Sequence, residues 1–427
     1  MSQPSLPRSP RISVAAAEPA HAGLPPAALW SADRTAGIGV GRLRYLALLF
    51  GVILALSVLR LLAYCLIARG FGGATHVLCN YDCGWYEHTA RAGYDLAPVS
   101  DVYANTANWA FFPLYPLLLA AFAAITPAAA GMTWAGILLS TACFAGFGTL
   151  GALYLQQGEP GNASGRKVLP FAWLGFVSLW PGDLYFALPY SEALYALLMT
   201  ASLLALTRRR VVESALASAA LTATRPPGLL MVPVIIADRW HYLWQHHRAG
   251  RLRQSPVTVL SHVLLPVALA PLGLFAFMAY LRWHMGDALA FIHVQTAWNR
   301  HALPPWIFLW DGLTTNDWGR VFAQPARESL SVEAIVAIAG LILALCQLIQ
   351  RRYAEAWLIG ATILVASSSG LQSMPRFVLT NPCVIFALFR LSMAGAGPRR
   401  LTLITLTLGL LQLLLVFAWF IGAPVLA

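Results

Sequence analysis

Apolar residues recur along this chain in long stretches, at about 44–68, 133–155, 257–281, 333–349 and 401–424. As helices, stretches near 20 residues match the roughly 30 Å hydrocarbon core of a bilayer. A transmembrane barrel would need short strands of alternating polarity, and that alternation is missing. The pattern predicts an all-α, polytopic integral membrane protein. Two segments interrupt it. FFPLYPLLLAAFAAI, Phe111 to Ile125, is short and holds Pro113 and Pro116, which suits a re-entrant or interfacial piece. The stretch 211–245 is broken by TRPPG at 224–228, because a residue before proline avoids helical geometry. Backbone freed in such breaks needs protein or water partners, so both should border a cavity.

Composition agrees: 59% of residues are hydrophobic and only 11% are charged, too few charges to cover a globular surface. The formal net charge of +11 sits in short clusters between apolar stretches: Arg208 to Arg210, Arg248 to Arg253, Arg351–Arg352 and Arg399–Arg400. These mark cytoplasmic loops. The aromatic residues lie in the spans and not among these arginines, which argues against nucleic acid as a partner. Residues 1–42, rich in Pro, Ala and Ser, read as a disordered cytoplasmic tail, and 43–427 as the membrane domain. The first apolar stretch starts too late for a cleaved signal and reads as an anchor with Arg42 and Arg44 inside. Counting from the arginines gives about 10–12 spans and external loops at about 69–108 and 282–330. The expected location is the plasma (inner) membrane. On this count the polar, irregular elements fall on one external face, periplasmic or extracellular: Asp82 to Asp95, Asp183 to Glu192, Arg225, His284 to Arg300 and Gln372 to Arg376.

Each element has a plain reading and a chemical one. Asp82 opens an amphipathic pattern that puts Trp85, Thr89 and Ala90 on one helix face. It is a solvated interfacial aspartate or a general base at the lipid–water boundary. Glu192 in PYSEALYALL opens a span, where Ser191 and Glu192 suit a helix start. Arg225, in an apolar hairpin, needs a partner, with Asp82, Glu192 and Asp183 as candidates, or a phosphate. Arg376 in SMPRFVL reads as a snorkelling interfacial arginine or a second phosphate ligand. Trp298 and Arg300 offer a stacking face and a charge. His284, His293 and His301 are spaced unlike any metal signature. Cys79 and Cys83 flank Asp82, and a non-cytoplasmic loop permits a disulfide between them. Walker, dinucleotide-binding and nucleophile-elbow motifs are missing, so nucleotide-driven chemistry has no support.

Taken in order, Asp82 with GWY and GY (Gly84 to Tyr86, Gly93–Tyr94), FFPLYPLL (111–118), PYSEALYALL (189–198), ATRPPGLL (223–230), GDALAFIHVQTAWNR (286–300) and MPRF (374–377) resemble the bacterial branch of one mannosyltransferase family. That family includes the enzyme adding the second mannose to GPI anchors, and it belongs to the GT-C glycosyltransferases. The resemblance covers about residues 45–395. It implies an inverting transferase that uses a sugar, mannose by analogy, on a polyprenyl phosphate at the non-cytoplasmic face. The catalytic aspartate of the first external loop falls on Asp82. Tyr81 stands where eukaryotic relatives have tryptophan, and Cys83 where many have a polar residue.

In those terms Asp82 is the base, and Arg225, Arg376 and Arg300 hold the donor phosphate. Trp85, Tyr86, Tyr190, Glu192 and Trp298 line the substrate pocket. The partners are a lipid-linked donor, an acceptor of unstated identity and the bilayer. No cofactor is expected. A divalent ion is compatible with the class, but no ligand set argues for one. The rival reading is a secondary transporter or lipid flippase. It would want an inverted repeat and polar groups at the midplane, and neither is visible.

Overall fold

The computed structural model describes residues 40–98, 105–126, 131–157, 163–248, 263–298, 300–318, 329–394 and 397–422. Backbone contacts divide the chain into Met1–Tyr45 and Leu46–Ala427. Of the first unit only the start of a helix is described, so the expected tail lies almost wholly outside the described residues. The second unit carries the features that follow.

Among the described residues the fold is all-helical. Its helices are α1 (Val40–Ala68), α2 (Ala74–Leu78), α3 (Asp82–Ala92), α4 (Leu114–Ile125), α5 (Gly131–Gln157), α6 (Ala163–Ser178), α7 (Asp183–Ala187), α8 (Glu192–Thr207), α9 (Val211–Thr222) and α10 (Met231–Arg248). Then come α11 (Leu265–Leu269), α12 (Leu272–Met285), α13 (Ala290–His293), α14 (Pro305–Thr315), α15 (Leu330–Ile349), α16 (Tyr353–Ser367), α17 (Met374–Leu379), α18 (Pro382–Met393) and α19 (Pro398–Phe420). Four helical stretches, Gly41–Phe71, Gly131–Gln157, Leu330–Ile349 and Arg399–Phe420, are long and apolar enough to cross a membrane. They match four of the five long stretches expected from the sequence.

The fifth, 257–281, is not one rod. Residues 257–262 lie outside the described residues, and the remainder breaks into α11 and α12 at Pro271. Proline has no N–H for the helical ladder, which accounts for the break. Five further apolar helices, α4, α8, α9, α16 and α18, are shorter. A helix of 12 residues such as α4 is about 18 Å long, less than the hydrocarbon core. The expected interruption at TRPPG is a 3₁₀ turn, Pro226–Leu230. It packs closely: a Cβ on Gly228 would lie 2.6 Å from the Leu221 carbonyl oxygen.

The core centres on α5, which packs against α4, α6 and α8. Its apolar window is 72% buried, against 6% for the peripheral α19. Lipid is as apolar as leucine, so helices in a membrane associate through close packing of small residues. α5 supplies them along its length, with Gly136, Ser140, Thr141, Ala145, Gly148, Thr149 and Gly151 all buried. A Cβ on Gly136 would meet the Pro189 side chain at 2.5 Å. Pro189 precedes α8 by three residues, so this close approach sets where Glu192 begins its helix.

A buried charge pair ties the periphery to this core. Arg60, in the middle of α1, is bonded to fully buried Asp183 at the start of α7. Gln412 of α19 reaches the same carboxylate at 3.4 Å. Asp183 is therefore not the partner of Arg225. Arg60→Met or Asp183→Leu alone should each destabilise the protein by about 3–5 kcal/mol, because one charge is left buried and unpaired. The double variant should recover most of that loss. Thermal unfolding in detergent reads all three, and a double variant as unstable as the singles would show that the pair is not the cause.

Between α14 and α15, Asp317 acts as a clamp. Its carboxylate accepts from Ser329 Oγ at 3.0 Å, Leu330 N at 3.1 Å and Ser331 N at 3.0 Å. Burial opposes its charge, but these donors outweigh burial and hold the carboxyl below its ordinary value of 3.8. The stability from a depressed acid is present above its unfolded pKa and is lost as pH falls through the folded one. The stability difference between wild type and Asp317→Asn should therefore be constant at neutral pH and shrink below about pH 4. Unfolding midpoints from about pH 7 to about pH 2 test it, and a difference that does not diminish at all below about pH 4 would exclude an ionised Asp317 as its source.

Candidate functional site

The loop before α3 is fixed from several sides. Tyr190 Oη donates to the Asn80 carbonyl at 2.6 Å, and Trp419 Nε1 to the Val77 carbonyl at 2.8 Å. Cys79 and Cys83 form a disulfide. Tyr81, with φ of 50°, occupies left-handed backbone that a bulky residue rarely adopts. Asp82 follows as the first residue of α3. The buried stripe of this helix is Cys83, Tyr86 and Thr89. The expected face of Trp85, Thr89 and Ala90 is thus rotated, because Tyr86 packs inward on Tyr115, with ring centroids 4.9 Å apart.

Asp82 is not simply solvated. Arg376 Nη1 donates to its Oδ2 at 2.6 Å. Arg376 is not a snorkelling surface residue either: it is 5% exposed, within α17. Its Nε lies 3.5 Å from the Glu192 carboxylate without a hydrogen bond. Glu192, 2% exposed, accepts instead from Arg225 Nη1 at 2.7 Å. Residues from four distant parts of the chain thus make one charge chain: Asp82, Arg376, Glu192, Arg225. Phe377 lies between the two guanidinium groups, 5.3 Å from that of Arg225 and 5.8 Å from that of Arg376.

Burial lowers the pKa of Arg376, but Asp82 and Glu192 outweigh it and raise it above the ordinary arginine value. Arg300 is affected the other way: burial, then repulsion by Arg376, lowers its pKa. Among the described residues no carboxylate lies within ion-pair distance of Arg300, although Asp82 and Glu333 act on it electrostatically. The site therefore holds three arginines against two directly paired carboxylates. The side chain of Asp82 is 30% exposed and that of Glu192 only 2%. Asp82 is the carboxylate that a solute can reach.

Rings form the wall beside it. Trp85 stacks on Phe111 at 5.7 Å and meets Trp298 edge-on at 5.9 Å. Tyr86 contacts Phe111 at 5.1 Å and Tyr190 at 6.3 Å. The four aromatics expected from the sequence do converge, and Phe111 is the ring that joins them. Ser191 does not cap α8 through its side chain. Its hydroxyl pairs with Tyr86 Oη at 2.8 Å, which locks α3 to the α8 start. Burial, then the charge of Glu192, keep Tyr86 a neutral phenol by raising its pKa.

Of the three histidines, His284, in the last turn of α12, lies 3.1 Å from the Tyr94 carbonyl, and His293 lies 2.7 Å from Asp287. Cys79, Cys83 and Glu87 place ligand atoms within 4.8 Å of one another. The disulfide leaves neither sulfur a thiolate, so this trio as it stands does not fit a metal ion. Sequence reading missed Arg60, Phe111 and Phe377. For Arg60 the signal was present, as a lone charge inside an apolar stretch. The two phenylalanines lie inside FFPLYPLL and MPRF, but nothing in those motifs singles them out, because their role lies in what they touch. No protein-family profile, no curated protein and no solved structure matches this chain.

Proposed function

We propose that this protein is an inverting glycosyltransferase that moves a sugar, mannose by resemblance, from a polyprenyl-phosphate donor to an acceptor hydroxyl at the external membrane face. One observation carries the reading: the reachable carboxylate of Asp82 is held by buried Arg376 in a cluster with Arg225 and Arg300. Asp82 takes the acceptor proton as that oxygen attacks the anomeric carbon. The bond to the phosphate oxygen breaks, and its electron pair leaves with the lipid phosphate. The leaving group is already a stable anion, so it requires positive charge and no general acid. Arg300, lacking a directly paired carboxylate among the described residues, receives the phosphate, and Arg376 and Arg225 add to the field. Trp85, Tyr86, Tyr190 and Trp298 form the sugar wall, and Glu192 orients the two arginines. In this reading the arginine-rich turns face the cytoplasm.

A transporter would want an inverted repeat around its site, and the described cluster is instead one chain of Asp82, Arg376, Glu192 and Arg225 with a single reachable carboxylate. The test is transfer by purified protein in nanodiscs, supplied with labelled polyprenyl-phosphate mannose and a mixed acceptor pool. Label should leave the lipid for a water-soluble or newly glycosylated product of inverted anomeric configuration. Retention of configuration would sink the single-displacement scheme. Movement of intact lipid across sealed vesicles without transfer would support the flippase.

A further inference from the structure

Cys79, Cys83 and Glu87 form a cluster that sugar transfer does not use. Cys79 closes α2, Cys83 lies in the first turn of α3, and Glu87 follows one helical turn later. Cys-x3-Cys is a spacing that zinc sites use, and residues four apart share a helix face. Glu87 Oε1 lies 3.6 Å from the Cys79 sulfur and 3.6 Å from the Cys83 sulfur. A disulfide carries no S–H, so neither contact is a hydrogen bond, and the carboxylate gains nothing from facing two oxidised sulfurs. It is nonetheless held there. Thr133 Oγ1 of α5 donates to the same oxygen at 2.5 Å, and Arg91 Nη2 donates to the other at 3.4 Å. Across a tetrahedral zinc, with Zn–S of about 2.3 Å and Zn–O of about 2.0 Å, sulfur and oxygen lie about 3.5 Å apart. The carboxylate therefore already stands at the separation that a shared metal would set. Only the two sulfurs are too close, because they are bonded to each other.

We propose that, once the disulfide is reduced, Cys79, Cys83 and Glu87 bind a borderline-soft divalent ion of the Zn²⁺ type, which replaces the S–S bond as the staple of the Asp82 loop. The steps balance. A dithiol reductant supplies two electrons and two protons, the S–S bond breaks to two thiols, and the reductant becomes a disulfide. Binding the ion then releases both thiol protons. Two thiolates and one carboxylate face the dication, and tetrahedral geometry leaves a fourth position for water. The sulfurs must part to about 3.8 Å, the separation set by two Zn–S bonds of about 2.3 Å. Thr133 serves as the outer donor that orients a ligating carboxylate. Cys83 is fully buried, but the Glu87 side chain is 17% exposed and Cys79 is partly exposed, so reductant and ion reach the cluster from their side. Two thiolates select Zn²⁺ over the hard ions Mg²⁺ and Ca²⁺, which take oxygen ligands. The site stands whether or not the protein transfers sugar.

The test uses the full chain in nanodiscs, reduced with dithiothreitol, desalted without oxygen, and titrated with Co²⁺ and then Zn²⁺. Thiolate-to-cobalt charge-transfer absorption reports the ligands. Reduced wild type should show that band with Co²⁺ and lose it to Zn²⁺, and oxidised wild type should show none. Zn²⁺ should also raise the unfolding midpoint of the reduced protein and leave that of the oxidised protein unchanged. Glu87→Gln, nearly isosteric, should weaken Zn²⁺ binding by about 100-fold or more, and Thr133→Val by about 10–100-fold, as for loss of a ligand and of its orienting donor. The oxidised and reduced wild-type proteins need no substitution, so a variant that misfolds cannot hide a negative result. A reduced protein without the band would overturn the proposal, as would equal uptake by the oxidised protein. A band that survives Cys79→Ser with Cys83→Ser would assign the ion to the other cysteines, Cys65, Cys143, Cys346 or Cys383, and overturn it too. Unchanged affinity in Glu87→Gln would exclude the carboxylate and with it the three-ligand site.

Discussion

Asp82→Asn should remain folded and transfer sugar at least about 100-fold more slowly than wild type, the loss expected for a general base. The exchange is nearly isosteric. The asparagine oxygen can still accept the hydrogen bond that Arg376 Nη1 now makes at 2.6 Å. What disappears is basicity. Because the side chain is 30% exposed, removing its charge strips Arg376 of one partner without burying an uncompensated group, and Glu192 stays within 3.5 Å of that guanidinium. Stability should therefore change far less than rate. Initial rates of label release in nanodiscs, together with unfolding midpoints, separate the two. Equal rates in both proteins would remove Asp82 from the chemistry. Attention would then turn to Glu192, which would have to act from 2% exposure.

Arg376→Lys should lower the transfer rate by about 10²–10³, the cost of removing one preorganised stabiliser of developing charge. Lysine keeps a charge but not the planar fork. It cannot hold Asp82 with one nitrogen while turning another toward Glu192, nor lie over Tyr190 and Phe377 as the guanidinium does. Arg376→Ala should be worse in a second way. It removes the partner of half-buried Asp82, while Glu192 keeps Arg225 at 2.7 Å, and unfolding should come earlier by about 1–3 kcal/mol. The pair of variants makes the result readable: a lysine protein that is stable and slow assigns Arg376 to catalysis. A lysine protein as active as wild type would make it a structural clamp only.

The class of the protein was legible in the sequence because hydrophobic length is a local property. Four long apolar stretches are four long helices, and TRPPG is a break where proline geometry demands one. The site was legible as a set of residue types. Asp82, Glu192, Arg225 and Arg376 stood out because charge beside apolar sequence is costly and needs a reason. Their pairing was not legible. Sequence left Arg225 with three candidate acids, and only packing chose Glu192 for it and gave Asp183 to Arg60. The rotation of α3, the buried position of Arg376 and the role of Phe111 were decided in the same way. Ion pairing and ring contact depend on distances between residues far apart in the chain, 294 positions for Asp82 and Arg376. Those distances are set by how closely helices approach, here through the small residues of α5 and the Gly136–Pro189 contact. Which groups stand out is written along the chain. Which of them meet is a property of the packed bundle, where each buried charge must find the one partner within reach.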